Sequence, residues 1–394
     1  MCWGPLPKNT VCACRSSRPG TTSTPPSSAW DKNSSFMQTP TKCKPWAQVP
    51  KQVFCMVLVG LGLWSCAGDG ARVALPGKVG ATGELVVVAS VDVWNGPAGD
   101  TVRSAADQPY PVLPQYEPLM DVLHLEPELF DRFWKPHRNI LMLEVADRVD
   151  TQTPSFAFYR NKYSRGQIYM VAKARTAEAL AEVLASRSGE MMSLLHAEEA
   201  QRFADIVALS PNEVLSREVA QKWAIQGLYP KDARKAKEMQ EFWWMDRQLT
   251  RFKGGDNHDI QQGFFIHSEP YTSPDQLSLE HVLNRRDALT KRYVPGPTPG
   301  SYMATERKYF PSYEESEFKG NFALEVRGLW KMENDFMGGP FYSLTVVDES
   351  RGRLLTMEGY AYAPYFDKRP YIRELEGVIK QSTLLPVKGA VPGP

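Results

Sequence analysis

From residue 67 onward this 394-residue sequence has no cysteine; all six (Cys2, Cys12, Cys14, Cys43, Cys55 and Cys66) lie at or before position 66. That absence excludes a disulfide framework for the bulk of the chain, and thiol catalysis with it. Long apolar runs are missing too. The strongest, Val53–Trp64, falls short of the ~20 residues that cross a bilayer as a helix and contains Gly60 and Gly62, so an integral membrane protein is not expected. Basic excess is also lacking after the N-terminal segment. Residues 1–65 hold seven Lys or Arg against Asp31 alone, which leaves 39 basic and 44 acidic residues for the rest. A mildly acidic body gives no support to nucleic-acid binding, which needs a concentrated basic surface.

Recognisable catalytic motifs are equally scarce. No Gly-x-Ser-x-Gly elbow presents a nucleophilic serine. Gly77, Gly80 and Gly83 precede a strand instead of following one, unlike a dinucleotide fingerprint. Gly96-Pro97-Ala98-Gly99-Asp100 lacks the Lys-Ser/Thr of a phosphate loop and reads as a turn with Asp100 as helix N-cap. His196 with Glu198 and Glu199 does not match metal-ligand spacing and reads as a solvated helix face. Asp256-Asn257-His258-Asp259 lacks the ligand spacing of a calcium loop and reads as a polar hairpin tip. Neither a metal nor a cofactor is expected.

What the sequence does hold is an address. Lys42, Lys44 and Lys51 precede the apolar Val53–Trp64, which closes on Ser65-Cys66. A basic region, a short apolar region and a small residue before a cleavage point form an export signal. With cysteine next, Leu63-Trp64-Ser65-Cys66 resembles the lipobox of bacterial lipoproteins, although Trp64 is larger than is usual there. The resemblance implies cleavage before Cys66 and a diacylglycerol on its sulfur. The expected organisation is a disordered Ser/Thr/Pro-rich leader over 1–36, with the true start near Met37, a signal peptide over 37–65 and a tether over 66–83.

The body reads as α+β, with largely antiparallel sheets, packed helices and room for two similar subdomains, 84–227 and 228–385. Leu85–Val93, Leu119–Leu125, Ile140–Val145 and Gln167–Ala174 have strand composition. A long helix begins after Thr176 as N-cap, with Gly189 as its weak point, and Ser210-Pro211-Asn212-Glu213 opens another that Gly227 ends. Glu241–Arg247 and Gln262–His267 pair, and Ser273-Pro274-Asp275-Gln276 starts a further helix. In Asn321–Glu333, Phe322, Leu324, Val326 and Trp330 alternate with a mostly polar face. With Phe341–Val347 and Leu354–Ala363 it forms a three-stranded meander, across which a helix over Lys368–Gln381 packs.

Candidate chemistry is confined to carboxylates. Glu325, Glu333, Asp335 and Glu358 cluster in the C-terminal strands and could perform acid–base work, Glu333 and Glu358 foremost, with Arg327 on the face of Glu325 and Glu333 as their counter-charge; charged residues on an exposed sheet face give the same pattern. Trp243 and Trp244, adjacent on a strand, point to opposite faces, so one is available as a stacking platform or both are packed in separate layers.

Two stretches, Leu85–Asp100 (LVVVASVDVWNGPAGD) and Arg327–Leu375 (from RGLWKMENDFMGGPFYS to PYIREL), resemble a family of Bacteroidetes lipoproteins known only as domain of unknown function 4837. The similarity runs over residues 80–382, with the Glu333–Pro340 turn its most specific piece. It implies a lipid-anchored cell-envelope protein, at the outer membrane or the periplasmic face of the inner one. It transfers no catalytic residue. The leading expectation is therefore a module, lipidated at Cys66, that binds an envelope protein or glycan. The alternative is an envelope hydrolase of glycan or peptide using paired carboxylates.

Overall fold

The structure is a computed structural model that describes residues 74–387. The leader, the Val53–Trp64 run and Cys66 lie outside the described residues.

The first sheet is assembled from β1 (Glu84–Val88), β2 (Asp121–Leu125), β3 (Asn139–Val145), β4 (Ser155–Arg160) and β5 (Ile168–Ala174), in the order β2-β1-β3-β5-β4. All pairs are parallel except β4 with β5. Parallel neighbours need a crossover, which explains why the strand expected over Leu85–Val93 stops at Val88. The chain turns into α1 (Val91–Trp94) and α2 (Pro97–Ala106) before returning as β2. Gly96 is the N-cap of α2 with Pro97 first in the helix, so Asp100 sits inside the first turn and not at the cap. One face of the sheet packs on α2 and on α3 (Ala177–Leu209) through Leu85, Val87, Leu141, Met170, Leu180, Leu184 and Leu195. Thr176 caps α3 by accepting from the Ala179 amide. Gly189 does not break it: a methyl there would meet nothing within 4 Å. Next, α4 (Glu213–Trp223) is capped by Asn212 rather than Ser210 and ends at Ala224, left-handed at φ 53°, three residues before Gly227. The two-residue β6 (Ile225–Gln226) follows.

The second sheet is antiparallel. It contains β7 (Arg234–Glu238), β8 (Phe242–Lys253), β9 (Asp256–Pro270), β10 (Tyr302–Thr305), β11 (Ser312–Phe318), β12 (Asn321–Glu333), β13 (Gly338–Asp348) and β14 (Arg353–Tyr362). Their order is β10-β12-β13-β14-β9-β8-β7, with β11 added on β12. The hairpin tip lies at Gly254-Gly255, so Asp256–Asp259 belongs to β9 and pairs with β8. The meander β12-β13-β14 is present as expected, with α6 (Arg369–Gln381) across it. Its other face is covered by α5 (Leu279–Tyr293), whose Val282, Leu283 and Leu289 meet Leu324, Val326 and Trp330. Phe322 departs from that stripe; near the start of β12 it is 44% exposed. Trp243 enters the core under α6, whereas Trp244 packs against the core under α5, so both serve packing. A mixed, mostly parallel sheet and an antiparallel one are not similar halves.

Three contacts seat α6. Glu117, buried on the loop before β2, accepts hydrogen bonds from the Lys368 and Arg369 amides at 2.6 and 2.8 Å, a carboxylate on a helix N-terminus. Leu375 rests on Gly359 of β14, where a Cβ would come within 2.5 Å of it. Gly377 rests on α3, where a Cβ would lie 2.4 Å from the Ala200 carbonyl oxygen. After α6, β15 (Thr383–Leu384) pairs with β6.

The helix crossing yields a stability prediction. Gly377→Val forces α6 away from Ala200 and should cost about 1–3 kcal/mol, the usual penalty of overpacking. Gly189→Ala, in open space on the same α3, should instead stabilise by about 0.5–1 kcal/mol. Urea unfolding of both variants checks the pair, and equal effects would contradict the close crossing.

Candidate functional site

A cleft of about 480 Å³ opens beside the α3–α6 crossing, floored by Met192, Ala197, Ala200 and Gly377 and edged by Leu119 and Pro111. That volume is in the range of small-ligand sites. Its polar lining comes from four elements: His196 from α3, Glu314 from β11, Arg327 from β12, and Glu376 and Lys380 from α6.

Glu376 organises the site. Its side chain is completely buried, and a single oxygen, Oε1, meets Arg327 Nη2 at 2.7 Å, Lys380 Nζ at 3.0 Å and His196 Nε2 at 3.0 Å. The other oxygen accepts from the Tyr110 hydroxyl at 3.2 Å. The His196 contact is close without hydrogen-bond alignment, so Nε2 has no hydrogen-bond partner among the described residues. Arg327 also stacks 4.6 Å above the Tyr342 ring. Burial alone would raise the Glu376 pKa, but Arg327 foremost, then His196 and Lys380, hold it well below the usual carboxylate range. Burial lowers the His196 pKa against the pull of Glu376, which keeps the imidazole neutral near pH 7. Burial and the Glu376 charge together push the Tyr110 hydroxyl up to about 12. The site is therefore an ionised carboxylate, two cations, a neutral imidazole and a protonated phenol. Glu314, exposed on β11, adds an acid at the rim.

The carboxylates singled out from sequence do not meet. Glu358 is buried on the α5 face and paired with Arg286, whose Nε and Nη2 lie 2.8–3.0 Å from its oxygens. Arg327 lies on the α6 face and points to Glu376. Glu358 is level with Ser343 on β13, and Ser343 with Val326 on β12; Glu333 is seven residues farther along β12, roughly 23 Å at ~3.3 Å per residue. Carboxyl pairs in glycoside hydrolases stand at most about 9.5 Å apart. Glu333 instead pairs with Lys331 at 3.0 Å.

His196 and Glu199 depart from the solvated face assigned to them. Glu199 is fully buried between Arg138 and Arg202, and His196 faces Glu376. The reason is that α3 is covered twice, by the first sheet and by α6, so part of its polar stripe becomes interior. Glu376, Tyr110 and His196 were the residues that sequence reasoning missed. The one available signal was Glu376 two residues beyond Glu374, on the apolar side of an otherwise amphipathic helix.

With this geometry in place, comparison with known proteins adds a family. Residues 212–381 match a domain of unknown function, DUF4837. Over that stretch the chain is similar to that domain family. Residues 78–208 match a different one, also a domain of unknown function, DUF8532. The resemblance expected over 80–382 thus narrows to its second stretch, and Leu85–Asp100 falls in DUF8532. No curated protein matches. Among solved structures, a point mutant of the protein Mog1 aligns at 8% identity over 42% of this chain and 93% of its own, with a TM-score of 0.27, too low to carry an argument.

Within the site, Glu376→Gln should cost about 3–5 kcal/mol near pH 7, because Arg327 is left buried without its anion. The pH dependence follows from the two depressed values. Stability from Glu376 is complete above the ordinary carboxylate value of 4.5 and is lost as pH falls through its folded value. His196 likewise destabilises the fold only below the ordinary imidazole value of 6.5, where the unfolded chain takes up the proton first. Denaturant titrations from pH 8 to about 3 should show wild-type stability falling in both windows, and Glu376→Gln missing the lower one. An unchanged lower limb in that variant would contradict the assignment.

Proposed function

We propose that this protein is a lipid-anchored cell-envelope module that binds an envelope protein segment or glycan in the α3–α6 cleft. The observation that carries the binding reading is the state of Glu376: two cations and a hydroxyl occupy its oxygens. A carboxylate held ionised that firmly has little proton affinity near neutral pH and serves poorly as a general acid or base. Held in place, it fixes Arg327 and Lys380 at the cleft wall, where they can meet a ligand's acceptors with little ordering cost. The cleft's mixed lining, apolar floor and charged wall suits a ligand with both kinds of surface. The paired-carboxylate hydrolase keeps no pair, since Glu333 and Glu358 lie on separate parts of the sheet.

The address rests on sequence: the basic stretch, the Val53–Trp64 run and Ser65-Cys66. No helix among the described residues is long and apolar enough to cross a membrane. Attachment through Cys66 would put a diacylglycerol and an N-acyl chain at the start of the mature protein, and two or more chains anchor where one is marginal.

Both parts are open to test. Cells fed a fatty-acid probe should label the wild-type protein and not Cys66→Ser; no label on the wild type would remove the anchor. For the cleft, peptidoglycan fragments and envelope peptides should perturb the amide resonances of Ser193, Ala197, Gly377 and Gln381. Perturbations confined to other surfaces would reject this binding site.

A further inference from the structure

A second, much smaller cavity, about 60 Å³, lies farther along α3, where Phe203 and Ile206 meet the start of α6 at Pro370. It shares no lining residue with the cleft. Four cationic side chains converge on it, Lys78, Arg138, Arg202 and Arg373, against two carboxylates, Glu199 and Glu374. Both carboxylates are engaged elsewhere, Glu199 through both oxygens and Glu374 through Oε2. Glu199 accepts from Arg138 at 2.6 Å, from Arg202 at 2.7 Å and from Asn139 at 2.8 Å. Glu374 is engaged from the second sheet, by Gln262 at 2.9 Å and Arg247 at 3.6 Å.

The donors are left over. Arg373 is 1% exposed and makes one hydrogen bond, from Nη2 to the Leu119 carbonyl oxygen at 3.1 Å. Its Nε and Nη1 have no partner among the described residues, and neither does the Nε of Arg138. Burial pulls the Arg373 pKa down, as expected for a cation without a carboxylate of its own. A buried guanidinium with two idle donors is costly unless an anion meets it. The idle Nε and Nη1 lie on different edges of the guanidinium, and each is free to donate a charge-assisted hydrogen bond to an anion's oxygen. Lys78 stands at the cavity with its amine 3.2 Å from where a Cβ of Gly166 would be, and Arg202 donates to the Gly166 carbonyl oxygen at 2.8 Å. Three segments of the first sheet's layer, ahead of β1, ahead of β3 and on α3, and α6 of the second sheet's layer therefore present positive charge to the same small volume.

We propose that this cavity binds one tetrahedral oxyanion, inorganic phosphate or sulfate or the phosphate group of an ester, and that the ion clamps α6 to α3. The volume, about 60 Å³, is on the scale of one such group. The inference does not depend on the lipid anchor or on the larger cleft.

The test is thermal unfolding of the full chain in phosphate, sulfate or glycerol phosphate, each against sodium chloride of equal ionic strength. Phosphate or sulfate should raise the midpoint beyond chloride. Lys78→Gln, a change at a half-exposed position that leaves the core alone, should weaken the response about tenfold in concentration, the loss of one charge-assisted contact. Arg373→Gln should abolish it. A response to inorganic ions alone assigns a free ion, and an equal response to glycerol phosphate assigns an esterified group; both support the site. Equal midpoints in phosphate, sulfate and chloride would overturn it, as would a phosphate response unchanged by Lys78→Gln.

Discussion

The close crossing of α6 on α3, made where Gly377 meets the Ala200 backbone, is the constraint on which the rest of this protein depends. α3 belongs to the core of the first sheet and α6 to that of the second. Their contact joins the two layers into one body. A glycine is needed because any side chain would hold the helices apart. Glu117 at the start of α6 and Gly359 beneath its middle fix the helix at two further points, so its register against α3 has no freedom.

That fixed register decides where charge is buried. Burial of ions is unfavourable unless partners are supplied at the correct distance, and loss of one partner costs more than the pair contributes. Along the seam the partners come from different elements: Glu376 from α6 with Arg327 from β12, and Glu199 from α3 with Arg138 beside β3. Each of these pairs lies within one layer; what crosses between the layers is Glu376 itself, which meets His196 of α3 and the Tyr110 hydroxyl, and those contacts exist only when the two layers are docked in this way. The larger cleft and the smaller cavity are where helices meeting at a narrow crossing leave space on the same charged seam.

Much of the fold was legible in the sequence. Alternation in Asn321–Glu333 gave the meander because strand periodicity survives even where both faces are covered, as Ala323 and Leu329 are along with Leu324 and Val326. Caps at Thr176 and Ser273 were readable because a cap is a local hydrogen bond, although Ser273 caps only the 3-10 turn Pro274–Leu277 and α5 starts afresh behind its own cap, Ser278. Arg234–Glu238 and Ser312–Phe318 were missed as strands. They are charged, β7 at one edge of the sheet and β11 as an added strand on β12, where strand composition gives way to protection against aggregation. The parallel first sheet was missed because parallel order is a property of connections and leaves no mark within one strand. The site was harder still. Arg327 was noticed for its strand position and does lie 4.0 Å from Glu325 on the same strand, but its closer partner, Glu376 at 2.7 Å, is 49 residues away. His196 looked solvated because the helix that covers it comes almost at the end of the chain.

The claim that the cleft beside Glu376 is where this protein meets its ligand is tested most directly inside cells. A photoreactive amino acid placed at Ser193, on the cleft wall, is compared with one at Phe336, fully exposed on the β12–β13 turn. The account predicts a discrete crosslinked product from position 193 that disappears when Lys380 is replaced by glutamate, and none from position 336. A product from 336 alone, or one from 193 that is indifferent to Lys380→Glu, would contradict it.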